Sequence, residues 1–418
     1  MKKHLPVLLA CLFVVMIGFG ITLSVLPFYV ERLALADGAS RRQVVMHVGL
    51  LTGVYALMQL IFAPIWGRLS DRTGRRPLVL IGIGGYVLAQ ILFGLATSLS
   101  LLYAARILGG IMSSATLPVA AAYVSDSTTD EERGHGMAWF GTAVSLGFVV
   151  GPALGGMLTH RDLHFVVRYG HLKIDSFSVP FFAAAALGLL TLLAAMRWLP
   201  ESQPAHPVRA AVRQTKTDWR QLARSFGMLL GLSFVAQFGL AVFEGTFPLY
   251  AQTRLLYGPN EVGAVFVVCG LVMTVFQVGA IKLFAGRIRE HWQIAVGFGV
   301  TGAGLTLLST AASKTMVFVF VGMLALGLAI ISPNLAAMIS KLGGRSGAGQ
   351  ALGTQNAANS FGQAIGPLLG SALLLWNRRA PFVLSGALFV AAAAMIGWRA
   401  RSEKGFLGHE VQAQRVAS

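Results

Sequence analysis

Apolar residues run through this chain in blocks of roughly twenty, the length a helix needs to cross a bilayer, separated by short polar interruptions. The blocks fall at about 5–30, 44–65, 77–97, 100–122, 136–159, 178–199, 225–250, 260–283, 292–311, 315–340, 349–374 and 380–398, which predicts an all-α membrane protein with twelve transmembrane helices. The longest polar interruption divides these blocks six and six. It holds Pro200, Pro204 and Pro207, then five basic residues from Arg209 onward. The expected organisation is an N-terminal six-helix bundle over 1–199, a basic cytoplasmic linker over 200–224, a C-terminal six-helix bundle over 225–398 and a cytoplasmic tail over 399–418. Traces of a duplication support two pseudo-symmetric halves. GPALG at 151–155 in the fifth block is echoed by GPLLG at 366–370 in the eleventh, and Lys282, Gly286, Arg287 and Arg289 echo a charged stretch after the second block.

Composition narrows the class. With 418 residues, 55% hydrophobic and 12% charged, the chain has more apolar surface than a soluble core absorbs. The net charge of +17 follows from topology: about 22 basic residues lie in the termini and loops placed inside and about 10 outside, which sets both ends in the cytoplasm. Attraction to an anionic inner leaflet accounts for that charge without a nucleic-acid partner. Met1, Lys2 and Lys3 before an apolar run imitate a secretory signal, but the run continues to Tyr29 with no convincing small-residue cleavage site, so it is kept as the first helix. Cys11 and Cys269 lie within spans and suggest neither a disulfide nor a metal site. His160, His164 and His171, in an external loop over 160–176, read as solvated histidines more readily than as metal ligands or a pH sensor.

The candidate chemistry lies where polar groups interrupt the apolar blocks. GRLSDRTGRRP over 67–77 cannot lie in hydrocarbon and reads as a tight loop at the membrane surface, with Gly67 and Gly74 spaced around Asp71. Asp71 is expected to accept from a facing helix start and from a nearby Arg, forming a latch. Arg72, Arg75 and Arg76 would reach lipid phosphates or carboxylates of the next bundle, and Asp126 is the natural acidic partner. Inside the spans, Arg106 and Glu244 are functional candidates because burying a charge at the bilayer centre costs about 2.5–3.5 kcal/mol. A guanidinium there stays protonated and needs carbonyls, water or a carboxylate. Desolvation disfavours the charged form of a carboxyl, so Glu244 can take a proton in a closed cavity and release it when water enters. Gly245 and Pro248 are expected to loosen the helix beyond it. Gly147, Gly151, Gly155 and Gly156 would form a groove for close helix contact, with Pro152 bending the helix. Gln59, Gln237, Asn334, Asn356 and Asn359, with Tyr55, Phe140, Phe243 and Phe247, are candidate cavity-lining residues that could equally bond or pack against neighbouring helices. No phosphate-binding loop or nucleophile constellation appears, so no enzyme and no cofactor is expected.

The stretch at 67–77 resembles the loop between helices 2 and 3 of the major facilitator superfamily. The segment around Arg106 resembles the R-x-x-Q-G motif of its proton-coupled exporters, with Gly109 in place of Gln, and GFVVGPALGG over 147–156 resembles their antiporter motif. The resemblance is to the twelve-span drug:H+ antiporter branch, similar to tetracycline and multidrug efflux proteins. It implies a monomeric carrier in a bacterial-type inner membrane that exchanges protons for small amphipathic compounds by alternating access. Many such exporters carry an acid in helix 1, whereas 18–21 has none here and Glu31 lies at the outer end, which shifts weight to Glu244, Arg106 and Asp71. Two other readings are a dedicated exporter of one endogenous solute and a non-transporting receptor.

Overall fold

The computed structural model describes residues 4–129, 132–159, 167–169, 172–202, 219–284 and 289–401. The loop histidines His160, His164 and His171, Pro204 and Pro207 with the basic run from Arg209 to Lys216, Gly286 and Arg287, and the tail beyond Arg401 lie outside them. Twelve helices run in order: α1 (Leu5–Ala36), α2 (Arg41–Thr73), α3 (Arg75–Gly94), α4 (Leu99–Ser113), α5 (Thr116–Ser127), α6 (Arg133–Leu158), α7 (Val179–Trp198), α8 (Trp219–Leu255), α9 (Pro259–Phe284), α10 (Glu290–Leu308), α11 (Lys314–Trp376) and α12 (Ala380–Arg401). A short antiparallel hairpin, β1 (Val167–Tyr169) and β2 (Leu172–Ile174), pairs Val167 with Ile174 between α6 and α7. Ten stretches among the described residues are long and apolar enough to cross a membrane. Position in the fold supplies the other two, α10 and the second part of α11, giving a multi-pass membrane protein of two six-helix bundles.

Helices and predicted spans differ at three places. The fourth span is two helices, α4 and α5, parted at Ser114 and Ala115. Spans ten and eleven lie within one helical assignment, α11. Its first part runs against α10, Gly304 beside Phe320 and Gly297 beside Ile331, and its second part runs along α8, Gly362 beside Phe234 and Gly370 beside Thr246. The expected loop at 67–77 is nearly all helix: α2 continues through Thr73, α3 starts at Arg75, and Gly74 alone parts them at φ +97°. A helix can continue past the bilayer into water, where charges cost nothing to solvate, so polarity marked the membrane boundary and not the end of the helix.

Glycines set how closely the helices pack. A Cβ on Gly147 would stand 2.5 Å from the Phe13 carbonyl oxygen, and one on Gly151 would stand 2.9 Å from Gly20 Cα, so α6 lies along α1 backbone to backbone. In the second half, Gly362 meets the Phe234 carbonyl oxygen at 2.8 Å and Gly366 meets that of Phe238 at 3.0 Å, so α11 lies along α8 in the same manner. The same two helices also reach across the molecule. Gly156 of α6 abuts Asn260 of α9, and Gly49 of α2 abuts Ser371 and Pro367 of α11. The halves therefore meet along two equivalent seams, α6 on α9 and α11 on α2.

Candidate functional site

Arg106 sits in the middle of α4 and is 4% exposed. Its guanidinium carbon stands 4.6 Å from the centre of the Tyr55 ring, a cation–π contact, and its Nε has no hydrogen-bond partner among the described residues. The Tyr55 hydroxyl hydrogen-bonds Ser113 Oγ at 2.8 Å, and the Gln59 amide donates to both, at 3.3 and 3.2 Å. Behind this group a small cavity is lined by Gly18, Tyr86, Gln90, Arg106 and Ser113, and the Gln90 Oε1 in it is also unpartnered. A Cβ on Gly18 would collide with the Tyr86 ring and the Gln90 amide. The position where an acid was sought in helix 1 is thus filled by side chains from α3.

Glu244 lies in α8 and is 6% exposed. It has no hydrogen bond or ion pair to any described residue. Phe243 and Phe247 lie on the same helix with ring centres 5.1 Å apart, and Phe266 of α9 stands 5.7 Å from Phe243. Both Phe243 and Phe247 are fully buried in the core of the second half. The helix does not loosen beyond Glu244. It continues to Leu255 with Pro248 inside it, and Gly245 instead lets Pro367 pass, where a Cβ would stand 2.9 Å from that ring.

Aromatic side chains lead from Arg106 to the second half. Tyr55 lies 6.0 Å from Phe19, and Phe19 lies 6.2 Å from Phe148. Phe148 packs against Gly270 and joins the apolar cluster of the second half. One cation in the first half and one acid in the second are each buried without a counter-ion among the described residues.

Other candidates fall elsewhere. Phe140 packs with the cluster of Leu5, Leu12 and Tyr123, away from Arg106. Asn334 donates to Gln293 Oε1 at 3.1 Å and to the Ile330 carbonyl, tying α11 to α10. Gln237 and Asn359 are half-buried and Asn356 is exposed, and it is Gln355, not its neighbour, that turns inward to bond Ser233 at 3.2 Å. Glu31 accepts from the Gln252 amide, a bond between α1 and α8.

At the opposite end, Arg75 donates to Asp71 at 2.6 Å, to Ser70 at 2.6 Å and to Asp126 at 3.0 Å, so it binds carboxylates of its own bundle and not of the next. The start of α3 is capped by Glu201, whose carboxylate accepts from the backbone amides of Arg75 and Arg76 at 2.8 and 3.1 Å. Gly74 leaves room for that carboxylate, while Gly67 has open space around it. Arg76 reaches the Met196 carbonyl at 2.8 Å, and Arg72 is exposed. Glu201 and Gln252 were missed because each acts across helices distant in sequence. Only the position of Glu201, an acid directly after the sixth span, was a clue.

A family model described as Major Facilitator Superfamily matches residues 8–295 and 229–416. The chain is 28% identical over 401 residues to "Multidrug resistance protein 2" of Bacillus subtilis (strain 168), covering 94% of each chain. It is 31% identical over 363 residues to "Tetracycline resistance protein, class G" of Vibrio anguillarum, covering 85% of this chain and 86% of that one. A bacterial homologue of the human lysosomal transporter Spinster, in an inward-facing and occupied conformation, shares the fold at a TM-score of 0.78 and 16% identity over 98% of both chains. The paired glycine seams, the charged stretch where α2 meets α3 and these matches agree: the chain is a membrane transporter and belongs to the Major Facilitator Superfamily.

Proposed function

We propose that this protein exports amphipathic small molecules in exchange for protons, with Glu244 as the proton-carrying group and Arg106 as its electrostatic counterpart in the first half. The observation that carries this is the isolation of Glu244. A carboxyl without a cation or a donor is stable in an apolar core only when protonated, so movement that admits water releases the proton, and closure takes one up. The similarity to multidrug and tetracycline resistance proteins supports a drug-type substrate. An amphipathic cation would satisfy Glu244 as a proton does, which makes the two alternative occupants and gives exchange.

The moving bodies in this reading are 1–199 and 225–398, joined by 200–224, in a bacterial inner membrane with both termini inside. On that topology the Glu31–Gln252 bond and the Gly156–Asn260 and Gly49–Ser371 approaches lie at the outer end, so this arrangement is closed outside. Asp71, Arg75 and Asp126 would brace the cytoplasmic end of the first bundle during rocking.

The test is transport in proteoliposomes with an imposed pH gradient, following internal pH while lipophilic cations and tetracycline-like compounds are added. Substrate-dependent proton release that is lost in Glu244→Gln, with substrate binding retained, is the expected result. Proton release that persists in Glu244→Gln would remove Glu244 from the coupling role. No proton movement with any compound would favour a dedicated solute or another driving ion.

A further inference from the structure

A cavity of about 940 Å³ lies away from Arg106 and Glu244, at the Glu31 end of the seam where α2 crosses α8 and α11. Its walls are apolar, formed by Val45, Leu50, Leu249, Leu368 and Leu374, and Arg41, Arg42 and Arg378 also line it. Arg41 and Arg42 open α2, whose first turn has no acid. Helix-start amides already carry partial positive charge, so two arginines there concentrate positive potential where the helix itself disfavours cations. None of the three arginines has a hydrogen bond from its side chain or an ion pair to a described residue. The Ser371 hydroxyl, on a lining residue only 3% exposed, is likewise unpartnered. The lining acid, Glu31, is engaged by Gln252.

Part of the lining surface is apolar and exposed. Met46, Leu368 and Trp376 are 48, 38 and 77% exposed on helices that cross the membrane, and a Trp at the end of such a helix marks the level of the headgroups. Three unpaired cations at headgroup level above apolar walls call for a ligand with a phosphate at one end and a hydrocarbon chain at the other. We infer that this cavity binds an anionic phospholipid from the leaflet at the Glu31 end, its phosphate on Arg41, Arg42 and Arg378 and an acyl chain along Leu50 and Leu368. Bound there, the lipid bridges α2 and α11 beside their glycine contact and holds that end of the two halves together. The inference does not depend on proton exchange or on the identity of the exported compound.

The test uses the full-length protein, delipidated in a neutral detergent and titrated with phosphatidylglycerol, phosphatidylcholine, inorganic phosphate or an uncharged alkyl glycoside. Binding is followed by native mass spectrometry and by thermal unfolding. Phosphatidylglycerol is expected to bind one to one and raise the unfolding midpoint, phosphatidylcholine to do so weakly, and phosphate or glycoside alone to do neither. At about a fivefold effect per arginine, R41Q/R42Q/R378Q should weaken phosphatidylglycerol binding on the order of a hundredfold, while R41K/R42K/R378K should retain most of it. L50W/L368W, which fills the wall without changing charge, should also abolish binding, and it keeps the test decisive if the glutamine variant does not fold. Equal binding of phosphatidylcholine and phosphatidylglycerol, full competition by inorganic phosphate, or phosphatidylglycerol binding unchanged in both the glutamine and the tryptophan variants would overturn the assignment.

Discussion

A single methyl group at Gly151 tests how the first half is held together. The added Cβ would stand 2.9 Å from Gly20 Cα and closer still to the Ile17 carbonyl oxygen, both backbone atoms that no rotamer change can move. Ordinary contact begins near 3.5 Å, so α6 must shift from α1 by more than half an ångström or the backbone must distort, and overpacking of this kind costs about 1–3 kcal/mol. The proper control is Gly141 of the same helix, where a Cβ meets nothing within 4 Å. There the change removes only the helix penalty of glycine and should stabilise by about 0.5–1 kcal/mol. Both variants gain that helix term, so Gly151→Ala and Gly141→Ala should differ by the overpacking cost alone, about 1–3 kcal/mol, in a reversible unfolding titration in mixed micelles. Gly366→Ala, facing Ala241 and the Phe238 carbonyl in the second half, should match Gly151→Ala. Equal stability of the Gly151 and Gly141 variants would refute the view that glycine spacing sets the α1–α6 distance, whatever became of transport.

Three further outcomes are expected. Arg106→Met should fold with no loss of stability, and a gain of up to about 1–4 kcal/mol, because it removes a buried charge that has no counter-ion among the described residues, while transport falls sharply; a large loss of stability would show that Arg106 is a structural tie. Glu201→Ala should lower stability by about 0.5–2 kcal/mol through the loss of two amide bonds at the start of α3, and thermal unfolding identical to the parent protein would show that the cap is idle. Gln252→Ala breaks the bond from α8 to Glu31, and at about 1.5 kcal/mol for a hydrogen bond to a charged group it should raise labelling of cysteines introduced along that end on the order of tenfold. Unchanged labelling would mean that this bond does not help hold the halves together.

The sequence made the helical blocks and the duplication legible because both depend on local pattern: twenty apolar residues in a row, and GPALG repeated as GPLLG. It also singled out Arg106, Glu244 and Asp126, since a charge among apolar residues or near a basic cluster stands out without any knowledge of the fold. What it could not give was partnership. Asp126 pairs with Arg75 of the charged stretch, as the sequence suggests, but the cap of α3 comes from Glu201, more than a hundred residues away. Asn334 was a reasonable cavity residue by composition, and its bond to Gln293 depends on a helix crossing that no local pattern encodes. Phe243 and Phe247 read as cavity-lining residues, yet both are buried in the core, because an apolar ring suits a pocket wall and a core equally well.

The two glycine seams bear on how such a molecule could move. Within each half the pairs α1–α6 and α8–α11 meet backbone to backbone, and shear there would force carbonyl oxygens into contact at several places at once. Between halves, α6 on α9 and α2 on α11 are also tight, but chiefly toward the Glu31 end: Gly156 at Asn260, Gly49 at Ser371 and the Glu31–Gln252 bond. Tight packing along the whole length of a pair makes a rigid body, whereas packing concentrated at one end of a pair makes a hinge or a gate. The same helices supply both, because α6 and α11 each show their glycine face to one partner of their own half and a second face to the other half. A rocking motion would therefore keep the first contacts and exchange only the second, which is why the stability of Gly151→Ala and the labelling of Gln252→Ala should respond independently.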